Sequence, residues 1–144
     1  MYQRIVIVGN LGRDPEMRYL PDGTAVTNLN VATNRRWTDR NSGEPREETT
    51  WFRVSVWGRQ AETVNQYLSK GRQVLVEGTL NSDPETGGPR LYTRQDGTVG
   101  ASYEIRAFIV RFLSGGNGGS YGDGGASYGA EEGAAVEEED DIPF

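Results

Sequence analysis

With 144 residues the chain has room for one compact domain. Because it contains no Cys and no His, disulfides, thiolate nucleophiles and the usual zinc ligands are excluded. The absence of His also removes the commonest general base of enzymes. The formal net charge of −6 by itself argues against a nucleic-acid partner, because a phosphate binder normally carries a basic surface. That charge is unevenly distributed: residues 1–113 carry all 15 basic residues and 13 of the 21 acidic ones, a net charge of +2, so only this part is suited to face phosphates.

The start of the chain gives no sign of export. Residues 1–4 lack the charged-then-apolar order of a secretion signal. No later stretch reaches the roughly 20 apolar residues that a membrane-spanning helix needs. We therefore expect a cytoplasmic protein that needs no membrane, no metal and no cofactor.

The first part of the chain has the pattern of β-strands. Apolar and polar side chains alternate with a period of about two, and clusters of Gly, Pro, Asn and Asp interrupt the alternation. This pattern predicts strands over residues 2–9, 25–33 and 49–57. The turn signal Pro21-Asp22-Gly23 precedes the second strand, and a loop with Gly43 and Pro45 precedes the third.

A change of period predicts one short helix after these strands. Ala61, Val64 and Leu68 fall on one helical face, Lys70 sits in the last turn, and Gly71 supplies the C-terminal stop. Two more strands are predicted over residues 73–80 and 103–113, separated by a long polar segment. Three strands, a helix and two strands is the order of a five-stranded Greek-key barrel. We therefore predict one all-β domain over residues 1–113.

From residue 114 onward the composition changes completely. Gly alternates with Ser, Ala and Tyr over residues 114–136, which leaves too little apolar surface to offset the entropy of ordering, so we predict a flexible linker. Residues 137–144 join an acidic run to the apolar end Ile142-Pro143-Phe144. An acidic run alone usually serves solubility, but an apolar end does not. We therefore predict a disordered acidic tail whose tip binds partner proteins, with the ring and carboxylate of Phe144 held in an apolar pocket beside an Arg or Lys.

The third predicted strand is the most informative, because its two faces differ in chemistry. Phe52 and Val54 point one way and belong to an apolar core face, whereas Trp51, Arg53 and Trp57 point the other way. Exposed rings with a cation between them are typical of single-strand nucleic-acid binders, which stack bases on rings and follow the backbone with cations. The alternative is that both tryptophans are buried under a loop or in a subunit interface.

Two further segments repeat the pairing of an aromatic ring with arginine. Trp37 follows Arg35 and Arg36 at the end of the second predicted strand, and Tyr92 follows Arg90 in the long polar segment. Each ring is a candidate stacking surface, and a barrel of this order places these segments along one groove. The alternative for Trp37 is an exposed ring that shields its own hairpin.

Several motifs resemble the single-stranded DNA-binding proteins of bacteria. The resemblance covers residues 4–112 and rests on IVGNLGRDPE at residues 7–16, Arg18-Tyr19, Ala32-Thr33, WFRV at residues 51–54 and YLSKG at residues 67–71. The ending DDIPF at residues 140–144 resembles the tail tip of the same family. The pairing of the opening block with that ending is highly specific.

The resemblance implies a homotetramer of OB-fold barrels that binds single-stranded DNA during replication, recombination and repair. It also implies stacking rings at Trp37, Trp51, Trp57 and Tyr92, the same rings that the residue pattern indicates. The commonest family pattern has a Phe at the place of Trp57 and a Trp at the place of Tyr92, and either change keeps an aromatic face. The tail residues that this resemblance expects to recruit partner enzymes are Asp140, Asp141, Ile142, Pro143 and Phe144.

We therefore expect sequence-tolerant binding and protection of single-stranded DNA, without catalysis. The cations expected to contact the DNA backbone are Arg35, Arg36, Arg53, Arg59, Lys70 and Arg90. The main alternative is a protein-interaction adaptor in which the barrel is only an oligomerisation platform. A second alternative is a barrel-fold nuclease that uses acidic pairs such as Asp14 with Glu16, although neighbouring carboxylates on a polar loop are usually just solvated.

Overall fold

The computed structural model describes residues 1–113, which form seven strands and one helix. In chain order the elements are β1 (Ile5–Leu11), β2 (Glu16–Tyr19), β3 (Ala25–Thr38), β4 (Pro45–Trp57), α1 (Arg59–Tyr67), β5 (Gln73–Leu80), β6 (Arg90–Thr93) and β7 (Val99–Leu113). The predicted linker 114–136 and the predicted acidic tip 137–144 lie outside the described residues. Within residues 1–113, no helix is long and apolar enough to cross a membrane.

Five of these strands close into a barrel. Strand β4 pairs antiparallel with β3 along nearly its whole length and parallel with β7. Strand β7 pairs with β5, and β5 pairs with β1, both antiparallel. Strand β1 then closes the barrel on β3, where Asn10 and Leu11 pair with Ala32 and Val31. This arrangement confirms the predicted all-β, five-stranded Greek-key OB-fold barrel with one short helix.

The barrel closes where strand backbones come unusually near each other. A Cβ atom at Gly9 would collide with the carbonyl oxygen of Ala32, which belongs to the backbone and has no room to move. Between β5 and β7, a Cβ atom at Gly78 would overlap the carbonyl oxygen of Arg106, next to a β-bulge. Glycines and bulges of this kind let strands bend into a closed barrel.

The barrel interior is filled by side chains that alternate along each strand. On β4, Val54 and Val56 are fully buried and Phe52 packs against the core, whereas Trp51 and Trp57 are exposed. The apolar face predicted for this strand is thus confirmed as core. The fully buried side chains of the other strands include Leu29, Val31, Val74, Val76 and Ile105.

Helix α1 packs against β3 through its apolar face. Ala61 and Val64 are buried, and the buried hydroxyl of Thr27 donates a hydrogen bond of 2.8 Å to the Ala61 carbonyl oxygen. A buried hydroxyl without a partner costs about 1–3 kcal/mol. This bond therefore satisfies Thr27 and ties the helix to the barrel at once.

The helix is shorter than the sequence predicts. It ends at Tyr67, and Leu68 is extended although it remains buried in the core. Lys70 therefore lies beyond the helix rather than in its last turn, and its backbone N–H donates to the Asp14 carboxylate at 2.8 Å. Gly71 has a φ of +85°, and its N–H bonds to the end of β1 at 2.8 Å. These contacts with residues distant in the sequence end the helix early. The sequence around the helix end gives no indication of them.

Two polar segments form longer strands than their composition predicts. Strands β3 and β4 remain paired as far as Thr38 and Pro45, so their ends form a two-stranded ribbon. The polar segment before residue 103 contains β6, which pairs with the beginning of β7 at Val99. These exposed ribbons bury little of either face, so they lack the apolar alternation that marks the other strands.

Candidate nucleic-acid interface

An open groove of about 500 Å³ lies on the outer surface of the barrel, lined by β4, β6 and β7. Four of the predicted site residues line it together. Trp51 and Arg53 come from β4, and Arg90 and Tyr92 come from β6. Side chains that lie far apart in the sequence therefore share one surface.

The β4 side of the groove follows from strand alternation. Trp51 and Arg53 are two residues apart and share a face, which continues through Ser55 to Trp57. Trp51 is 53% exposed and Trp57 is 38% exposed. At about 3.3 Å per residue, the two rings lie roughly 20 Å apart along the strand. A single nucleic-acid strand that follows β4 would meet a ring, a guanidinium group and a second ring.

Tyr92 reaches the groove because β6 folds back on β7. Arg90 pairs with Ser102 and Tyr92 pairs with Gly100. The side chains of Arg90 and Tyr92 both line the groove. The Tyr92 ring is 49% exposed. The long polar segment before Tyr92 therefore places this ring in the same groove as Trp51.

An arginine guanidinium group lies over three of the four predicted rings. The distances from the guanidinium carbon to the ring centroid are 5.2 Å for Arg35 over Trp37, 5.7 Å for Arg94 over Tyr92 and 5.1 Å for Arg106 over Trp57. Each such contact contributes about 0.5–1 kcal/mol at an exposed site. Among residues 1–113 no guanidinium group covers Trp51 in this way, so its ring is the most open of the four.

Trp37 and Arg36 lie away from the groove, near the tip of the β3–β4 ribbon. Both line a second open recess of about 550 Å³. The unbroken register between β3 and β4 places Trp37 on the ribbon face opposite to Trp51. The structure therefore brings Trp51 and Tyr92 into one groove, keeps Trp57 on the same face of β4, and places Trp37 on the other face.

The other predicted cations are exposed but occupy different positions. Arg36 forms an ion pair of 3.3 Å with Glu47 on the ribbon. Arg59 is the first residue of α1 and Lys70 lies in the turn before β5, and neither lines the groove or the second recess. None of the ion pairs found within residues 1–113 involves Arg53. Its charge in the groove is thus not offset by a paired carboxylate of that region.

The groove also contains residues that the sequence did not single out. Arg13 lines it and donates to the side-chain amide oxygen of Asn30, which is the β3 neighbour of Arg53. On the other side of Arg53 lies Glu104 of β7, which forms an ion pair of 3.5 Å with Arg90. Only the strand register brings these residues beside Arg53, so no local pattern marks them. Arg106, which covers Trp57 from the neighbouring strand β7, was missed for the same reason. Arg94 belongs to the same aromatic and arginine segment as Tyr92, two residues after it, but was not predicted as a site residue.

The acidic residues of the turns have structural partners. The backbone N–H groups of Ser42 and Asn41 hold the pKa of Asp39 below its usual range. Asp14 accepts a backbone hydrogen bond, and Glu16 pairs with an arginine at 3.3 Å. Within residues 1–113, no group of three or more acidic side chains is arranged to hold a metal ion.

Comparisons with known proteins agree on one family. The family model of the single-strand binding protein family matches residues 2–113. Among solved structures, an SSB from Plasmodium falciparum in complex with ssDNA is similar, with a TM-score of 0.64 and 28% identity over 78% of this chain and 96% of that one. A deletion mutant of the single-stranded DNA binding protein from Thermus aquaticus has a TM-score of 0.61 and 32% identity, covering 79% of this chain and 51% of that one.

Proposed function

The chain belongs to the single-strand binding protein family, and from this premise we propose that it binds single-stranded DNA with little regard to base sequence. The rings and guanidinium groups of the groove suit this activity, because every base has a flat face that stacks on a ring and every nucleotide carries a phosphate. The similar protein from Plasmodium falciparum was solved as a complex with ssDNA. Catalysis is not part of the proposal.

The observation that carries the proposal is the outer face of β4 with the groove beside it. Trp51 is 53% exposed, Arg53 follows on the same face, and Tyr92 and Arg90 line the other side. Several exposed aromatic rings on one continuous surface are typical of an interaction site. Rings and guanidinium groups on one surface suit a DNA strand, because the rings can stack bases and the guanidinium groups can contact phosphates.

Titration of the protein with oligo-dT, followed by intrinsic Trp fluorescence, tests this proposal. Stacked bases are expected to quench the exposed indoles until the groove is saturated, and duplex DNA of equal length is expected to have much less effect. The adaptor alternative predicts unchanged emission and no binding. The nuclease alternative predicts cleavage of a labelled single strand when magnesium or calcium is present.

Binding of a short oligonucleotide is expected to weaken as the salt concentration rises. Arg13, Arg53 and Arg90 lie in the groove, and a cation that replaces condensed counterions on a single strand contributes a slope of about −0.7 per phosphate in a plot of log affinity against log salt. Stacking on the rings should leave residual binding at high salt. Titrations at several salt concentrations measure the slope, and Arg53→Gln should make it shallower. A slope near zero would remove arginine–phosphate contacts from the mechanism.

The proposal also includes assembly into a homotetramer, which the family resemblance implies. The outer faces of β1 and β5 support it, because Val6 and Val8 are exposed apolar side chains and Val8 pairs with Leu75. Light scattering without DNA is expected to give four times the 15.9 kDa mass of one chain. Val8→Glu is expected to lower that mass, because it places a charge in the apolar contact. A monomeric mass for the unmodified protein would contradict this part of the proposal.

We further propose that the protein protects single strands during replication, recombination and repair, in the cytoplasm. The tail residues 137–144, which lie outside the described residues, would bind the enzymes of these processes. The support is their sequence: an acidic run followed by Ile142-Pro143-Phe144 suits a partner with an apolar pocket and a basic rim. A linker of glycine-rich composition would give this tip a reach on the order of 25–30 Å.

A further inference from the structure

We propose that two glycines, Gly12 and Gly100, position the two rings of the groove by leaving space for them. Trp51 lies against Gly12, and Tyr92 lies against Gly100. This inference rests on the proposed function, because the placement of the rings matters to DNA only if the rings stack bases. Neither glycine needs to contact DNA itself.

The indole of Trp51 occupies the space that a side chain at residue 12 would fill. A Cβ atom at Gly12 would lie 2.5 Å from Cη2 of the ring, whereas carbon atoms that are not bonded prefer about 3.5–4.0 Å. Gly12 directly follows β1, and its N–H donates a hydrogen bond of 2.9 Å to the Asn30 carbonyl oxygen on β3. The ring therefore rests on backbone that the closed barrel holds in place.

Gly100 has the same relation to Tyr92 on the other side of the groove. The two residues pair directly across β6 and β7, and a Cβ atom at Gly100 would lie 2.6 Å from Cζ of the ring. The guanidinium group of Arg94 lies over the same ring and donates to the Val99 carbonyl oxygen at 3.2 Å. An aromatic side chain that covers a glycine on the neighbouring strand is a recognised stabilising pair in sheets. The Tyr92 ring is thus confined by a glycine and by an anchored guanidinium group.

Backbone strain does not explain either glycine. Within residues 1–113 the glycines with positive φ are Gly23, Gly43, Gly58, Gly71, Gly87 and Gly97. Gly12 and Gly100 are not among them, so neither adopts the left-handed conformation that favours glycine. At Gly12, moreover, an added methyl group would meet the far end of the Trp51 side chain rather than the backbone. We therefore expect a methyl group at residue 12 to displace the Trp51 ring and to leave the barrel backbone in place.

A ring that is already held in place has less freedom to lose when a base stacks on it. The ordering of one side chain at an interface typically corresponds to a roughly two- to tenfold change in affinity. Gly12 and Gly100 are therefore positioning residues: they raise DNA affinity through Trp51 and Tyr92.

The first measurement compares Gly12→Ala with Gly88→Ala as a matched control. Gly88 also has an ordinary φ, and a Cβ atom there would meet only the Thr86 hydroxyl at an ordinary 3.6 Å. Gly12→Ala is expected to weaken oligo-dT binding roughly two- to tenfold and to change the near-ultraviolet circular dichroism of the indoles. Its unfolding midpoint should stay close to that of Gly88→Ala, which should bind DNA like the unmodified protein.

The decisive measurement is the double variant, in which Gly12→Ala is added to Trp51→Ala. If Gly12 acts through the ring, the added change lowers the affinity no further. An undiminished second loss would overturn the inference, and so would a Gly12→Ala variant that binds normally while Trp51→Ala binds weakly. Normal binding by Trp51→Ala itself would instead overturn the stacking role of Trp51, and the inference would fall with it. Gly100→Ala, alone and in a Tyr92→Ala background, repeats the test on the second ring and decides the matter if Gly12→Ala fails to fold.

Discussion

Replacement of Trp51 by alanine is expected to weaken the binding of a short oligo-dT roughly ten- to a hundredfold. The ring is exposed in the groove, where Arg53 and Tyr92 flank it. Stacking of one base on an aromatic ring contributes about 1–3 kcal/mol in single-strand binders, this family among them, and about 1.4 kcal/mol corresponds to a tenfold change in affinity. The anisotropy of a labelled oligonucleotide measures the change without relying on the fluorescence of the residue removed.

Two control variants separate the ring of Trp51 from general effects of removing an aromatic side chain. Tyr67→Ala removes a ring that is 61% exposed on α1, away from the groove, and should leave binding unchanged. Trp51→Phe keeps an aromatic face and should retain most of the affinity. Trp57→Ala, on the same face of β4, should weaken binding as Trp51→Ala does. Full affinity in a folded Trp51→Ala variant would mean that this face of β4 does not bind DNA.

Deletion of residues 140–144 is expected to abolish the binding of replication and repair enzymes while the affinity for single-stranded DNA stays equal or rises slightly at low salt. The segment contains Asp140, Asp141 and the apolar sequence Ile142-Pro143-Phe144. Apolar residues supply contact area in a partner's pocket, and carboxylates speed the encounter with a basic rim. The same carboxylates are expected to compete weakly with DNA for the arginines of the groove, so their loss should slightly favour DNA binding. Pull-down of partner enzymes and anisotropy titration measure the two effects on the same protein.

A matched control is the deletion of residues 115–119, which removes five residues of the linker but no charge and no apolar side chain. This variant should keep both activities. Partner binding that survives the loss of residues 140–144 would assign recruitment to another surface. A collapse of DNA binding on the same deletion would mean that the tip supports the groove rather than competing with it.

The sequence by itself determined the order of the five barrel strands and the helix along the chain. It also determined which side chains of β4 face the core and which face solvent. A strand with one buried face must alternate apolar and polar side chains, so the pattern of Phe52 and Val54 against Trp51, Arg53 and Trp57 is visible without a structure. The exposed ribbons bury little of either face and leave no such pattern. For this reason the full length of β3 and β4 and the whole of the short strands β2 and β6 were not predicted.

Only the tertiary structure decided which residues share the groove. Strand register sets Arg53 between Asn30 and Glu104, and it sends Trp37 to the opposite face of the ribbon. It also brings the barrel backbone at Gly12 against the Trp51 ring. A local pattern reports how one strand divides its own residues between core and solvent. It contains no information on which distant strand pairs with the first one or in which register. Strand pairing and register are determined only when the closed barrel packs its shared core.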